Sequence, residues 1–163
     1  MIRSYYESSA RARIAGLLDA DSFYEWLPAA DRVTSPHLAI LEQPAAFDDG
    51  VVIGQGSIAG KNIFIAAQEG GFMGGAVGEV HGAKIVGVLE RAVRDHPAAV
   101  LLLLETGGVR LQEANAGLIA VSEVRPRSCQ RVPQACRSSS RSAGSTGVSA
   151  AWASPRVAPA PSS

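Results

Sequence analysis

The stretch that decides the fold spans residues 68–113 and reads QEGGFMGGAVGEVHGAKIVGVLERAVRDHPAAVLLLLETGGVRLQE. A glycine-dense loop at 69–78 is followed by an amphipathic segment at 79–96, an apolar run at 98–104 and a second glycine turn at 105–110. A further helical pattern begins at Leu111. Loop, helix, buried strand, loop and helix in this order predict one crossover unit of an α/β domain.

The segment at 79–96 predicts a helix with one apolar face, because its apolar residues, joined by His81 and Lys84, recur at steps of three and four. Pro97 ends that pattern. The run at 98–104 has no polar alternation, which predicts a strand buried on both faces. Each glycine loop then precedes a helix, where free backbone N–H groups and the helix dipole suit an anion or a developing oxyanion.

The sequence before this stretch predicts smaller elements. Residues 8–18 indicate a short helix capped by Ser8 or Ser9, residues 21–27 a second short helix or turn, and residues 31–49 a loop or docking arm. Two β-rich segments at 50–58 and 61–68 flank Ala59 and Gly60, which predicts a β-hairpin. The glycines there do not form a dinucleotide fingerprint, because no helix follows them.

Charge and composition divide the chain near residue 124. Residues 1–124 hold nine Lys and Arg against all fifteen Asp and Glu, a net charge of −6, which argues against a nucleic-acid surface. Both cysteines, Cys129 and Cys136, lie beyond this body, so neither a disulfide framework nor a metal site is expected in it. The longest apolar run is far short of a membrane span and no secretory pattern opens the chain, so we expect a cytoplasmic protein without membrane contact.

Residues 125–163 lack Leu, Ile, Phe, Tyr, Met, Lys, Asn, Asp and Glu and are rich in Ser, Arg, Ala and Pro. Such a segment buries too little apolar surface to offset its ordering entropy, which predicts a disordered tail. The expected organisation is therefore a folded part at 1–124 and a tail at 125–163.

Single polar residues in the body favour structural roles when each is considered alone. The first loop lacks the Gly-Lys-Ser/Thr ending of a Walker-type phosphate site. His81 has no second histidine or acid at metal-ligand spacing, so a core or interface histidine is expected. Glu105 and Glu113 could form an acid/base pair, but a helix cap or an ion pair with Arg110 is the stronger expectation for each.

Together, the two glycine segments resemble the carboxyltransferase family of the crotonase superfamily. The segments GGAVGEVHGAKI at 74–85 and ETGGVRLQE at 105–113 carry this resemblance. Within the family, GGFMGG at 70–75 and LETGGVRLQEAN at 104–115 are most similar to β subunits of biotin-independent malonate decarboxylases. Biotin-dependent acyl-CoA carboxyltransferases usually carry Asp-Ser-Gly-Gly-Ala-Arg at the second loop. The resemblance covers about residues 5–124 and implies a partial crotonase-like fold of ββα spiral units.

The resemblance also implies a reaction and a site. A malonyl thioester on an acyl-carrier protein would lose CO₂ to leave the acetyl thioester, by way of an enolate that needs pre-aimed hydrogen-bond donors. Backbone groups of Gly107, Gly108 and Val109 are the implied oxyanion hole. The implied substrate-binding residues are Phe72, Gly74, Gly75 and Arg110.

The cofactor and partners follow from the same resemblance. No cofactor or metal is expected on this chain itself. The thioester would arrive on the phosphopantetheine-type prosthetic group of an acyl-carrier subunit, and a γ-type carboxyltransferase subunit would be the second partner.

The chain departs from the family pattern after about residue 124. When the codons of residues 147–157 are regrouped by one frame, they permit the string Cys-Phe-Gly-Gly-Met-Gly-Ile-Ala-Ala-Gly, in which Trp152 forces the glycine after methionine. That string resembles the family's second glycine-rich oxyanion loop. We therefore expect a frameshift near residues 125–135, and an incomplete and inactive chain.

Two alternatives to this function remain open. A biotin-dependent carboxyltransferase β subunit is disfavoured by Glu105 and Thr106, which replace the usual Asp-Ser. A non-catalytic chain that only docks a partner subunit, or a product that does not fold, is the alternative outside the enzyme class, because half a spiral leaves strand edges and apolar faces uncovered.

Overall fold

The structure, a computed structural model, describes residues 8–28, 30–42, 48–130, 137–139 and 148–153, with side chains up to residue 124. Its elements are α1 (Ala10–Leu17), β1 (Tyr24–Trp26), α2 (Pro36–Ile40), β2 (Val51–Ile58), β3 (Lys61–Gln68), β4 (Ala76–Val77), α3 (Glu79–Asp95), β5 (Ala99–Glu105), β6 (Gly108–Val109), α4 (Asn115–Gln130), β7 (Arg137–Ser139) and β8 (Val148–Ala153). Turns of 3₁₀ helix at Met73–Gly75 and Leu111–Glu113 precede β4 and α4.

The main sheet has the strand order β1-β2-β3-β5-β8-β7. β2 and β3 are antiparallel and pair from Val51 with Gln68 to Ile58 with Lys61, which confirms the predicted hairpin. Ala59 and Gly60 both have positive φ, 50° and 71°, the backbone that a tight two-residue hairpin turn requires. β3 and β5 are parallel and are joined through α3, which confirms the predicted crossover unit.

Both faces of the sheet are covered, as the unbroken apolar run of β5 predicts. On one face, alternate residues of β2, β3 and β5 pack against α1 through Ala10, Ile14 and Leu18. On the other, the intervening residues pack against α3 through Ile85, Val88 and Leu89. The apolar stripe of α3 therefore faces the sheet, and α3 ends at Asp95, where the capping residue His96, with a φ of 47°, closes the helix before Pro97.

Helix α1 confirms its predicted cap, because the Ser9 hydroxyl accepts a hydrogen bond from the N–H of Ala12 at 3.3 Å. The expectation of a helix or turn at 21–27 was wrong, since residues 24–26 form a strand that pairs with β2. The reason lies in the partner strand: a Cβ at Gly54 would overlap the Tyr24 carbonyl oxygen, so only glycine lets β1 approach.

The region 31–49, predicted as a loop or docking arm, contains the short helix α2 with Pro36 in its first turn. Its end is not an exposed arm either, because Asp48 and Asp49 are 5% and 0% exposed in the turn that leads into β2. Burial follows from contacts with later parts of the chain, which the local sequence does not reveal. Residues 43–47 lie outside the described part.

The described part of the C-terminal region contains regular elements. Helix α4 continues to Gln130, and β8 lies antiparallel to β5 with β7 beside it. The free edge of β5 offers unpaired backbone groups that any extended segment can satisfy without large apolar side chains. The domain boundary at 124, and the disorder and out-of-frame origin expected after it, stay predictions, and the rest of 125–163 lies outside the described residues.

A glycine in α3 sets how closely α4 packs. A Cβ at Gly82 would lie 2.6 Å from the Cβ of Ala120 in α4, whereas a Cβ at Gly87 of the same helix would meet nothing within 4 Å. The two helices therefore touch at Gly82.

We predict that Gly82→Ala lowers the free energy of unfolding, because the helices must separate to admit the methyl group. Gly87→Ala is the matched control, and it should raise that free energy by about 0.5–1 kcal/mol through helix propensity alone. Denaturant titration of both variants measures the difference. Equal stabilisation by the two substitutions would contradict the contact between α3 and α4.

Candidate active site

The two glycine loops touch each other through their backbones. Gly75 is buried with φ 70°, and a Cβ there would overlap the carbonyl oxygen of Glu105. A Cβ at Gly107 would likewise overlap the carbonyl oxygen of Gly74. These two glycines are therefore required for contact between the loops. The resemblance had instead implied that Gly75 binds substrate and that Gly107 belongs to the oxyanion hole.

One glycine in each loop faces open space. Gly74 and Gly108 are both exposed, with φ of 63° and 114°, and a Cβ at either position would meet nothing within 4 Å. Since Gly108 lies opposite Ala76 in the β4–β6 ladder, the two open glycines lie on neighbouring segments. The structure thus brings together the predicted residues of both loops and leaves a glycine-lined surface between them accessible.

The backbone N–H groups of the second loop have different partners. Gly107 donates to the carbonyl of Gly75 at 3.3 Å, and Arg110 donates to the carbonyl of Val77 at 2.9 Å. Because Arg110 donates to β4 and successive N–H groups of a strand point to opposite sides, we expect the N–H of Val109 to face away from β4. The N–H of Gly108 donates to the Thr106 hydroxyl at 3.1 Å.

Arg110 lies in the interior rather than on the open surface. Its side chain is 0% exposed, and its Nη1 lies 2.7 Å from a carboxylate oxygen of Asp49 and 2.7 Å from one of Glu113. Its Nη2 donates to the carbonyl of Ala76 at 3.3 Å. The expected ion pair between Arg110 and Glu113 is confirmed. Contact of Arg110 with a substrate stays a prediction that this burial argues against.

The N-terminus of α3 does not offer the open anion site that the sequence suggested. The N–H of Glu79 donates to Glu113 Oε2 at 2.5 Å, and the N–H of His81 donates to Asp49 Oδ2 at 2.9 Å. The chain's own carboxylates therefore occupy the positive end of this helix. The expectation that Glu113 acts as a cap is confirmed, although the helix it caps is the preceding one.

Titration of the buried groups follows from this arrangement. Burial raises the pKa of Glu113, but hydrogen bonds from the Glu79 N–H and Arg110 outweigh it, so its pKa lies below the ordinary value. Burial and the charge of Arg110 lower the pKa of His81 to about 4. Glu113 is consequently ionised and His81 neutral at pH 7, which confirms His81 as a core histidine; it is 1% exposed.

Phe72 is half-buried at the entrance to the first loop. Its ring lies 5.4 Å from the guanidinium carbon of Arg110 and fills the space that a side chain at Gly50 would need. Phe72 therefore supports Arg110 by a cation–π contact. A direct substrate contact for Phe72 stays a prediction.

Sequence reasoning missed several residues that hold this region in place. Asp49 was counted in a docking arm, and Gln68 was read as the end of a strand, yet both are 0% exposed. Arg13 was assigned no contact within the helix predicted at 8–18, but it is 3% exposed and its Nη1 lies 2.9 Å from Glu105 Oε2. The Asp-Asp-Gly sequence at 48–50 is typical of a turn, but no local pattern identifies partners so far along the chain.

Comparison with known proteins gives the family. The family described as carboxyl transferase domain matches residues 7–157, which is most of the chain. The chain belongs to the carboxyl transferase family. It is 43% identical over 136 residues to the malonyl-S-ACP:biotin-protein carboxyltransferase of Malonomonas rubra. It is 34% identical over 126 residues to the acetyl-coenzyme A carboxylase carboxyl transferase subunit beta of Fusobacterium nucleatum.

Solved structures give the same fold. A subunit of the Pseudomonas malonate decarboxylase hetero-tetramer, solved in complex with malonate, is 48% identical with a TM-score of 0.73 over 77% of this chain. Transcarboxylase 12S is 31% identical with a TM-score of 0.63 over 71% of this chain. The fold is therefore the mixed α/β, crotonase-like carboxyltransferase fold, and this chain resembles malonate decarboxylase proteins more than acyl-CoA carboxylases.

The chain spans less than half the length of these relatives. The alignment to the Malonomonas rubra protein covers 75% of this chain but 43% of that protein, and the alignment to Fusobacterium nucleatum covers 41% of the relative. The Pseudomonas subunit is covered over 47% of its length. Among the described residues, no helix is long and apolar enough to cross a membrane and no cluster of three or more His, Cys, Asp or Glu could hold a metal.

We predict that Gly75→Ala destabilises the fold more than Gly60→Ala does. The two glycines have nearly equal φ, 70° and 71°, so the strain of a left-handed alanine, about 1–2 kcal/mol, is common to both. Only Gly75 also meets the backbone of Glu105, whereas Gly60 faces open space. Chemical denaturation measures both variants. Equal losses would show that the loops do not touch at Gly75.

Proposed function

We propose that this chain is part of a β-type subunit of a malonate decarboxylase, and that the complete subunit acts on a malonyl thioester carried by an acyl-carrier protein. The proposal is carried by the paired glycine loops, which present the open backbone of Gly74 and Gly108 side by side. It is supported by the 48% identity to a Pseudomonas malonate decarboxylase subunit solved with malonate. The name of the 43% identical relative supplies the acyl-carrier thioester as the substrate.

The proposed chemistry follows from where negative charge develops. Loss of CO₂ breaks the bond between the carboxylate carbon and the α-carbon, and the electron pair passes into the thioester as an enolate. Backbone N–H groups aimed at the enolate oxygen stabilise it without any side-chain acid. Val109 is the first candidate donor, because its N–H is expected to face away from β4. Gly108 is the second, and its N–H would have to leave the Thr106 hydroxyl.

The other loop supplies the near wall of the site in this proposal. Gly74 lets the pantetheine arm pass close to the backbone, because it carries no side chain and faces open space, while the buried Gly75 holds this loop against Glu105. Gly107 belongs to the site through its position, since its own N–H is bonded to Gly75. Arg110 does not touch the substrate in this proposal and instead holds the loops in place through its buried ion pairs. A γ-type subunit and the acyl-carrier protein would complete the complex. The complex is proposed to act in the cytoplasm.

Transfer of the carboxyl group to biotin is the second candidate function. One observation favours it: the 43% identical relative is named for carboxyl transfer from malonyl-S-ACP to a biotin protein. Both reactions pass through the same enolate, so the glycine loops serve either one. The difference is the fate of the CO₂, which is released in the first case and captured by a biotin carrier in the second.

Release of CO₂ from malonyl-carrier protein tests the proposal. The assay uses this chain with a γ-type subunit, and in parallel a longer chain in which the reading frame is restored near residue 125. We propose that the longer chain carries the activity and that the 163-residue chain does not, because an oxyanion site needs its complete packed surround. Turnover insensitive to avidin supports decarboxylation, and turnover that requires a biotin carrier supports the second candidate. Absence of both from the longer chain would overturn the proposal.

We predict that Gly108→Pro in the active version lowers kcat by a hundredfold or more, the scale of losing one oxyanion donor. Proline removes the N–H and cannot adopt the φ of 114° found there. Thr106→Val is the matched control in the same loop. It removes the hydroxyl that competes for the N–H of Gly108, so its kcat should be unchanged or higher. Normal turnover by Gly108→Pro would remove this residue from the site.

A further inference from the structure

A single buried side chain, Gln68 at the end of β3, joins the two glycine loops. Its Nε2 donates to the carbonyl of Gly75 in the first loop, and its Oε1 accepts the N–H of Glu105 at 2.9 Å, where the second loop begins. The side chain is 0% exposed. One amide group therefore spans the gap between the loops by donating to one and accepting from the other.

The orientation of this amide follows from its two partners. Gly75 presents a carbonyl oxygen, which only accepts, and Glu105 presents an N–H group, which only donates. An amide turned by 180° would oppose oxygen to oxygen and N–H to N–H. Among side chains of this length, a carboxylate lacks the donor, an ammonium group lacks the acceptor and a thioether lacks the donor. Glutamine is therefore the side chain that fits.

Arg13 fixes the same point from the other face of the sheet. The Nη2 of Arg13 donates to the backbone carbonyl oxygen of Gln68 at 2.5 Å, and its Nη1 lies 2.9 Å from Glu105 Oε2. The Glu105 carboxylate in turn occupies the space beside Gly70, where a Cβ would lie 2.5 Å from its carboxyl carbon. Both the backbone and the side chain of Glu105 are thus tied to the end of β3.

We propose that Gln68 is a positioning residue that sets the spacing between the two glycine loops. The two hydrogen bonds hold Gly75 and Glu105 at a fixed separation. This in turn limits the separation of the open glycines, because Gly74 adjoins Gly75 and Gly108 lies three residues after Glu105. This inference rests on the proposed function for its catalytic consequence. The structural part, the bridge itself, stands without it.

The first test measures the bridge in the 163-residue chain by amide hydrogen exchange. Gln68→Met keeps the length of the side chain and removes both hydrogen bonds. We expect exchange at the Glu105 N–H to rise roughly fivefold to tenfold, the scale of one net hydrogen bond. Gln55→Met in β2 is the matched control, because Gln55 makes no bond to either loop among the hydrogen bonds described. Unchanged exchange at Glu105 in Gln68→Met would overturn the proposal.

The second test uses the protonation of an introduced carboxyl group. Ionised Gln68→Glu cannot donate to Gly75, whereas its protonated form can donate to Gly75 and accept from Glu105. Protection of the Glu105 N–H should therefore recover as the pH falls, after correction for the intrinsic exchange rate. Gln68→Met should show no such recovery. If Gln68 only fills space, protection of the Glu105 N–H will not depend on pH in either variant. That result would contradict the bridge.

The third test connects the bridge to turnover in the active complex. Because the bridge sets loop spacing and lies away from the exposed surface, we expect Gln68→Met to lower kcat at least tenfold with KM changed less than threefold. If the wild-type complex has no decarboxylase activity while the exchange results hold, the proposed function fails and the bridge stands. If the wild type is active and Gln68→Met keeps full kcat, the positioning role is wrong.

Discussion

The buried charge of Arg110 is the constraint on which the candidate site depends. A guanidinium with no exposed surface is costly to desolvate, and the structure offsets that cost with two carboxylates at 2.7 Å. Those carboxylates come from distant parts of the chain: Asp49 precedes β2, and Glu113 follows the second glycine loop. The same two side chains also cap the N-terminus of α3. Through these carboxylates, the Arg110 guanidinium links the turn before β2, the N-terminus of α3 and the 3₁₀ turn after the second glycine loop.

This arrangement explains why the glycine loops can be so poor in side chains. Arg110 immediately follows β6, and its backbone N–H and its Nη2 donate to Val77 and Ala76 of β4. The short β4–β6 ladder is thus held by the buried guanidinium of Arg110, and the loops beside it are held by Gln68. Apart from Phe72, which contacts Arg110, this support comes from outside the glycine positions, so glycine backbone stays exposed for a ligand. A preorganised oxyanion site requires such an arrangement, in which buried ion pairs hold the loops rigidly and the glycine backbone stays exposed.

The sequence predicted what local patterning controls. Helix α3, the hairpin of β2 and β3, and the doubly buried β5 each follow from periodicity and turn residues, because these interactions lie within one element or between neighbours. The strand at 24–26 could not be read, since it depends on the missing side chain of Gly54. The partners of the helix dipole were also hidden: the expectation of an open anion site did not foresee that carboxylates 32 and 34 positions away would fill it.

A double-mutant cycle on Arg110 and Glu113 tests the central claim most directly. Free energies of unfolding would be measured for Arg110→Met, Glu113→Gln and the double variant, each in the 163-residue chain. We expect a favourable coupling energy of about 2 kcal/mol, because either single change leaves a buried charge or donor without its partner. Losses that simply add, within about 0.5 kcal/mol, would contradict the account, since Arg110 and Glu113 would then act independently.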